Sequence, residues 1–158
     1  MANTQSMVTS FLGELMTATH NFGTAPIRAA TTADTFKAAL YLTSATINAA
    51  TTAYSATGEV SGTNYTAGGV TVTNANAPAS TNSSATAGVG YWTPSASITY
   101  TTVTLSTAFD CVLIYNSTQS NKAVSVHTFG SQTITAGTFT LTMPSNTTST
   151  ALLRLATT

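Results

Sequence analysis

The stretch EVSGTNYTAGG, Glu59–Gly69, sets three glycines among small polar residues. Its reading decides the fold. A phosphate-cradling loop needs a strand before it and a helix after it, because the phosphate rests on the helix N-terminus. Gly62, Gly68 and Gly69 match neither GxGxxG nor GxxxxGK followed by Ser or Thr, and Val70-Thr71-Val72-Thr73 comes next, an alternating strand pattern. The glycines therefore read as turn residues supplying positive φ between strands. At least one of Gly68 and Gly69 is expected to adopt it.

Outward from this stretch, β patterning continues in both directions. Upstream, TFKAALYLTSAT places Phe36, Ala38, Leu40 and Leu42 on one strand face, and TTAYSATGEV continues in β-friendly residues. Downstream, Asn74–Ala87 is rich in Pro, Ser and Asn without periodicity, which predicts a long exposed loop. SITYTTVTL follows, and its apolar face switches between Tyr100 and Val103, the mark of a bulge or turn. FDCVLIY is a near-continuous apolar run, as in a central strand. Turn chemistry at Asn116–Asn121 then leads to KAVSVHTF, which predicts an antiparallel hairpin over Phe109–Phe129. GTFTLTMP and TALLRLAT close the chain as further strands. Many short strands separated by turn signals indicate a β-sandwich, jelly-roll or barrel. The expected fold is all-β, a β-sandwich or jelly-roll-like domain over residues 26–158.

Residues 1–25 differ in texture. Met7, Val8, Phe11, Leu12, Leu15 and Met16 fall at helical spacing, so Ser6–Thr19 is predicted to form a short amphipathic helix. It packs on its own domain or docks on a neighbouring subunit, with Met7, Phe11, Leu12 and Leu15 as the contact stripe.

The 158-residue length suits one domain with a short arm, long enough to bury a core without staples. Charged residues are only 5% of the chain and the formal net charge is zero, while 42% is hydrophobic. A surface so poor in charge gains little electrostatic solubility, which fits a chain packed against something else. Arg28, Lys37, Lys122 and Arg154 are scattered rather than clustered, so no nucleic-acid partner is expected. No apolar run suits a bilayer span, and the N-terminus lacks the basic region of a secretory signal.

The inventory for chemistry is thin. Glu14, Asp34, Glu59 and Asp110 are the carboxylates, and His20 and His127 the imidazoles. No GxSxG elbow is present, and no His, Cys or acidic group shows metal-ligand spacing. No cofactor, metal or catalysis is expected. Cys111, the single cysteine, reads as a small buried hydrophobe, and His127 as a partly exposed strand residue. Asp110 is placed to pair with Lys122 across the hairpin. Tyr91, Trp92, Tyr100 and Tyr115 offer two readings, a sugar-stacking platform or core and interface anchors, and the absence of polar sugar-gripping neighbours favours anchors.

These motifs also resemble a known group. DTFKAALYLTSATINAATTAYSATGEVSGTNYTAGGVTV (34–72), LIYNSTQSNKAVSVHTFG (113–130) and GTFTLTM (137–143) resemble a recurrent pattern in small β-rich virion proteins of tailed bacteriophages. There a Lys-x-Ala-Leu strand leads to Asn-Glu-Val-Ser-Gly-Thr-Gly-Tyr-Thr-Ala-Gly-Gly and another strand. An Ile-Tyr strand, a polar turn ending Asn-Lys, and a strand closing on Phe-Gly follow. The matching positions here are Glu59, Gly62, Tyr65, Gly68, Gly69, Asn121, Lys122 and Gly130. Gly58 stands where the pattern has Asn, Asn64 where it has Gly, and Met143 where Trp is common. The resemblance implies a head-decoration (cement) protein on the capsid surface, made in the bacterial host cytoplasm. Its implied partners are the major capsid protein and its own copies, as a dimer or trimer. Alternatives of the same resemblance are a tail or neck component and a virion-surface carbohydrate-binding module.

Overall fold

Two long strands joined by a tight polar turn dominate the molecule. The computed structural model describes residues 3–7, 15, 19–20, 22, 33–81 and 88–156. Its strands are β1 (Ser6–Met7), β2 (Phe36–Leu42), β3 (Val70–Thr71), β4 (Ala79–Ser80), β5 (Val89–Trp92), β6 (Ile98–Asn116), β7 (Lys122–Leu141) and β8 (Leu153–Ala156). Every element of two or more described residues is a strand, and Leu15 alone is helical. They form two antiparallel sheets, one in the order β1-β7-β6-β2-β3 and one in the order β4-β5-β8.

β6 and β7 make the expected hairpin, with Asn116 opposite Lys122. Ser120 and Asn121 turn the chain with φ of 53° and 59°, the left-handed region that Asn tolerates well. β2 and the adjoining half of β6 are buried on both faces: Phe36, Ala38, Ala39, Leu40 and Tyr41 of β2, with Cys111 and Leu113 of β6, are all 0% exposed. That explains the near-continuous apolar run of FDCVLIY.

The far half of the hairpin is bent. Ten residues of straight strand reach about 33 Å, yet the rings of Phe129 and Phe139 lie 5.1 Å apart, and Phe109 meets Phe139 edge-on at 5.1 Å. The ribbon therefore doubles over with its phenylalanines inside. Register shifts between Tyr100 and Val103, Val103 and Leu105, Leu105 and Phe109, and Phe109 and Cys111 make the corner. Thr102 and Ala136 take positive φ there (53° and 46°), as bulged strands do. The switch expected between Tyr100 and Val103 is the first of these bulges.

The second sheet joins the core through Trp92 and Leu153. Trp92 stands edge-on to Phe22 at 4.7 Å and tilted to Phe36 of β2 at 6.1 Å. Its indole N–H donates to the Asn74 side chain and the Asn76 carbonyl, each at 3.0 Å.

Four expectations are corrected. Ser6 and Met7 begin no helix; they pair with Val126 and Ser125 as β1, satisfying part of an otherwise open sheet edge. Phe11 and Leu12 lie outside the described residues, as do most of the expected helix and the 25/26 boundary, while Leu15 is helical and packs against the core. The loop expected over Asn74–Ala87 contains β4, whose Ala79 and Ser80 pair with Tyr91 and Gly90. Residues 51–60 form turns and two isolated bridges, Ala53 to Lys122 and Tyr41 to Glu59, rather than a strand. Asp110 and Lys122 do not face each other, because the hairpin register sets Lys122 opposite Asn116. Asp110 instead accepts a 2.6 Å hydrogen bond from the Asn3 amide.

Candidate functional site

The loop that opened the sequence folds around its own carboxylate. Glu59 is 9% exposed. Its Oε1 accepts the Tyr65 hydroxyl at 2.7 Å and the Gly68 N–H at 2.8 Å, and its Oε2 accepts the Tyr54 hydroxyl at 2.7 Å. Three donors on one buried carboxylate tie both ends of the loop together. A buried acid without such partners would be costly.

A layer of tyrosines surrounds this point. Tyr65 Oη also accepts the Leu40 N–H at 3.0 Å, which fastens the loop to β2. Tyr115 donates to the Gly68 carbonyl at 2.8 Å and stacks on Tyr54 at 4.8 Å. Tyr100 donates to the Ala38 carbonyl at 2.8 Å and stacks on Tyr65 at 5.9 Å. Tyr41 donates to the Ser55 carbonyl at 2.6 Å. Burial, with the Glu59 hydrogen bond and charge behind it, pushes the Tyr54 phenol up to about 12 and the Tyr65 phenol well above its usual range. Burial is also the main cause for Tyr41, Tyr100 and Tyr115, all shifted upward, with the Glu59 charge adding to each.

The glycines of the loop are explained by conformation and space. Gly68 and Gly69 have φ of +86° and +71°. A Cβ on Gly69 would overlap the Ala38 carbonyl oxygen, and one on Gly62 would overlap that of Thr104. Asn64 takes φ of 60° and donates from its amide to the Thr102 carbonyl at 2.9 Å. The site is thus a closed structural cluster. Its carboxylate and its phenols all act in holding backbone.

A second buried polar cluster lies at the hairpin turn. The Asn116 amide donates to Asp34 Oδ2 at 2.8 Å and lies 3.0 Å from His20 Nδ1. Gln119 donates to Asp34 Oδ1 at 3.2 Å, and Asn116 Oδ1 accepts the N–H groups of Thr118 and Gln119. This cluster anchors the turn to residues that precede β2. His127 is half-buried, with Nε2 2.9 Å from Ser125 Oγ, and burial lowers its pKa to about 4. Cys111 is fully buried; burial, with the Asp110 charge second, pushes its thiol up to about 12, so little thiolate forms at neutral pH.

Among the described residues, no three His, Cys, Asp or Glu side chains gather as a metal site would require. No helix there is long and apolar enough to cross a membrane. Trp92, Tyr100 and Tyr115 are 2–3% exposed, so they are core residues and do not build a surface platform with Tyr91. Tyr91 lines an apolar groove of about 140 Å³ with Leu15, Phe22, Pro78 and Leu155. Of the other signature positions, Asn121 and Lys122 belong to the hairpin turn, and Gly130 lies exposed on β7. The grouping of His20 and Asp34 with Asn116 carried no local signal, since they reach it from 96 and 82 residues away. No protein family, curated protein or solved structure matches the chain.

Proposed function

We propose that the chain is a structural protein of a tailed-bacteriophage virion, a head-decoration (cement) protein. It binds the major capsid protein on the outer face of the assembled shell, as a homo-oligomer, and strengthens the shell without catalysis. The observation that carries this reading is the loop 58–69. Its signature residues Glu59, Gly62, Tyr65, Gly68 and Gly69 all have backbone roles. Glu59 and Tyr65 close the cluster, while Gly68 and Gly69 take positive φ. The two departures are exchanges between Gly and Asn at positive φ, Gly58 at 80° and Asn64 at 60°, so the same turn is built by either residue.

Composition supports the same reading. Eight charged side chains cannot build a large ionic interface, so attachment rests on apolar and backbone contacts repeated by symmetry. The two sheets serve as a β-sandwich, with a jelly-roll arrangement as its finer form. The carbohydrate-binding alternative loses most of its aromatic platform to the core.

The test is to wash purified particles in molar salt and count the copies retained. Exposed ion pairs weaken under screening, so retention is expected here. Particles lacking the protein should lose capsid at lower temperature. Finding the protein only at the tail, or finding unchanged capsid stability without it, overturns the cement reading in favour of a tail or neck role.

A further inference from the structure

Among the described residues, the outer edge of β7 is open past Gly130. β6 runs along one side of β7, and β1 covers the other side only at Ser125 and Val126. Past Gly130, no other described strand pairs with it. Natural sheet edges are guarded by lysine, proline or inward-pointing charge. Here no Asp, Glu, Lys or Arg occurs from Ala123 to Leu153, and Pro144 lies beyond the strand. Bulges distort the corner as far as Gly137, but Phe139, Thr140 and Leu141 pair regularly with Tyr100, Thr99 and Ile98. The Met143 N–H points back to Ser97 Oγ at 3.4 Å. Backbone alternation then turns the N–H and C=O groups of Thr138, Thr140 and Thr142 outward.

We propose that a second copy of the chain adds antiparallel to this edge, with a two-fold axis at Thr140. In that register Thr140 faces Thr140 of the partner subunit, Thr138 faces Thr142 of the partner subunit, and Phe139 faces Leu141 of the partner subunit. Thr138, Thr140 and Thr142 are exposed, whereas Phe139 and Leu141 are half-buried on the opposite face. Threonine therefore meets threonine and apolar meets apolar, with no charge on either strand to oppose the contact. A strand of unrelated sequence gains the same backbone bonds without this matching, which singles out a second copy. Each backbone bond adds little net free energy, and the edge is short beside a standard interface of about 1,600 Å². Free protein therefore associates weakly, and an array amplifies the contact. The inference deepens the homo-oligomer part of the proposed function, but its test involves no capsid, so the two fail separately.

Sedimentation velocity from about 10 μM to about 1 mM should show a concentration-dependent dimer. Thr140→Lys and Thr140→Glu each set like charges face to face on the axis. Each should weaken association at least tenfold with an unchanged melting temperature, and mixing the two should restore a dimer. A wild type that stays monomeric to about 1 mM overturns the proposal. So does a charged variant that dimerises as the wild type does, or a mixture no more associated than its parts. Should either variant misfold, amide exchange on the wild type decides. Protection at Thr138 and Thr140 should rise with concentration, and a flat response overturns the proposal.

Discussion

Glu59 is the residue on which most of the loop depends, and its removal is the sharpest test of that role. Glu59→Ala leaves the Tyr54 and Tyr65 hydroxyls and the Gly68 N–H without their acceptor. We expect a loss of about 3 kcal/mol, read as a lower urea midpoint. Gly69→Val meets both a left-handed φ and the Ala38 carbonyl, and should cost at least about 3 kcal/mol or prevent folding. Asn64→Gly in the same loop should cost only about 1 kcal/mol, since both residues occupy its φ readily and the lost bond to the Thr102 carbonyl is exposed. Thermal melts of the two variants side by side separate a conformational requirement from general sensitivity of the loop. Positive φ before the Val70 strand was legible in the sequence because glycine pairs encode it locally. The carboxylate cluster was not, because a glutamate among small polar residues looks the same whether solvated or buried.

Among the elements, the hairpin was legible and its shape was not. Two apolar runs around Asn116–Asn121 specify pairing through local turn chemistry, and the break in alternation after Tyr100 gave one bulge away. The doubling of the ribbon depends on contact between Phe109, Phe129 and Phe139, which no short-range period records. β1 and β4 escaped the sequence reading for a related reason. Strands of two residues have no periodicity, and their pairing is decided by the edge that receives them. The corner should be separable from the central strands. Phe139→Ala removes the ring that touches Tyr100, Phe109 and Phe129, and should cost about 2–3 kcal/mol. Amide exchange should show the larger loss of protection at residues 98–105 and 134–141, with 109–116 less affected. Equal loss across the whole of β6 would mean that the corner and centre unfold as one unit.

The whole molecule should have a defined pH window. His127 has a folded pKa of about 4 against 6.5 when free. The stability from keeping it neutral is therefore complete above about pH 6.5 and is lost as pH falls toward 4, by roughly 3 kcal/mol. Arg154 from β8 and Gln5, just before β1, flank the same cavity, and His127→Gln should flatten the acid limb of a denaturation profile. At the other limit, Tyr41, Tyr54, Tyr65, Tyr100 and Tyr115 are raised above the ordinary phenol value of 10. Their contribution is present below pH 10 and is lost as pH rises beyond it. Five of the six tyrosines should ionise together with unfolding, as one cooperative rise in phenolate absorbance. A gradual titration beginning near pH 10 with the fold intact would refute the buried cluster. The doubled ribbon also bears on how the chain reaches this state. Pairing can start at the turn and zip outward from Asn116 and Lys122, a fast and local process. It must halt at the bulged corner, because the remaining strand ends gain their apolar contacts only after turning back over the first half. β2 must meanwhile find β6 across a long intervening segment, and such distant pairings place β-rich chains among the slow folders. The slow step is therefore the β2–β6 pairing, and until the ribbon folds over, the uncharged flank of β7 is exposed to every other newly made copy.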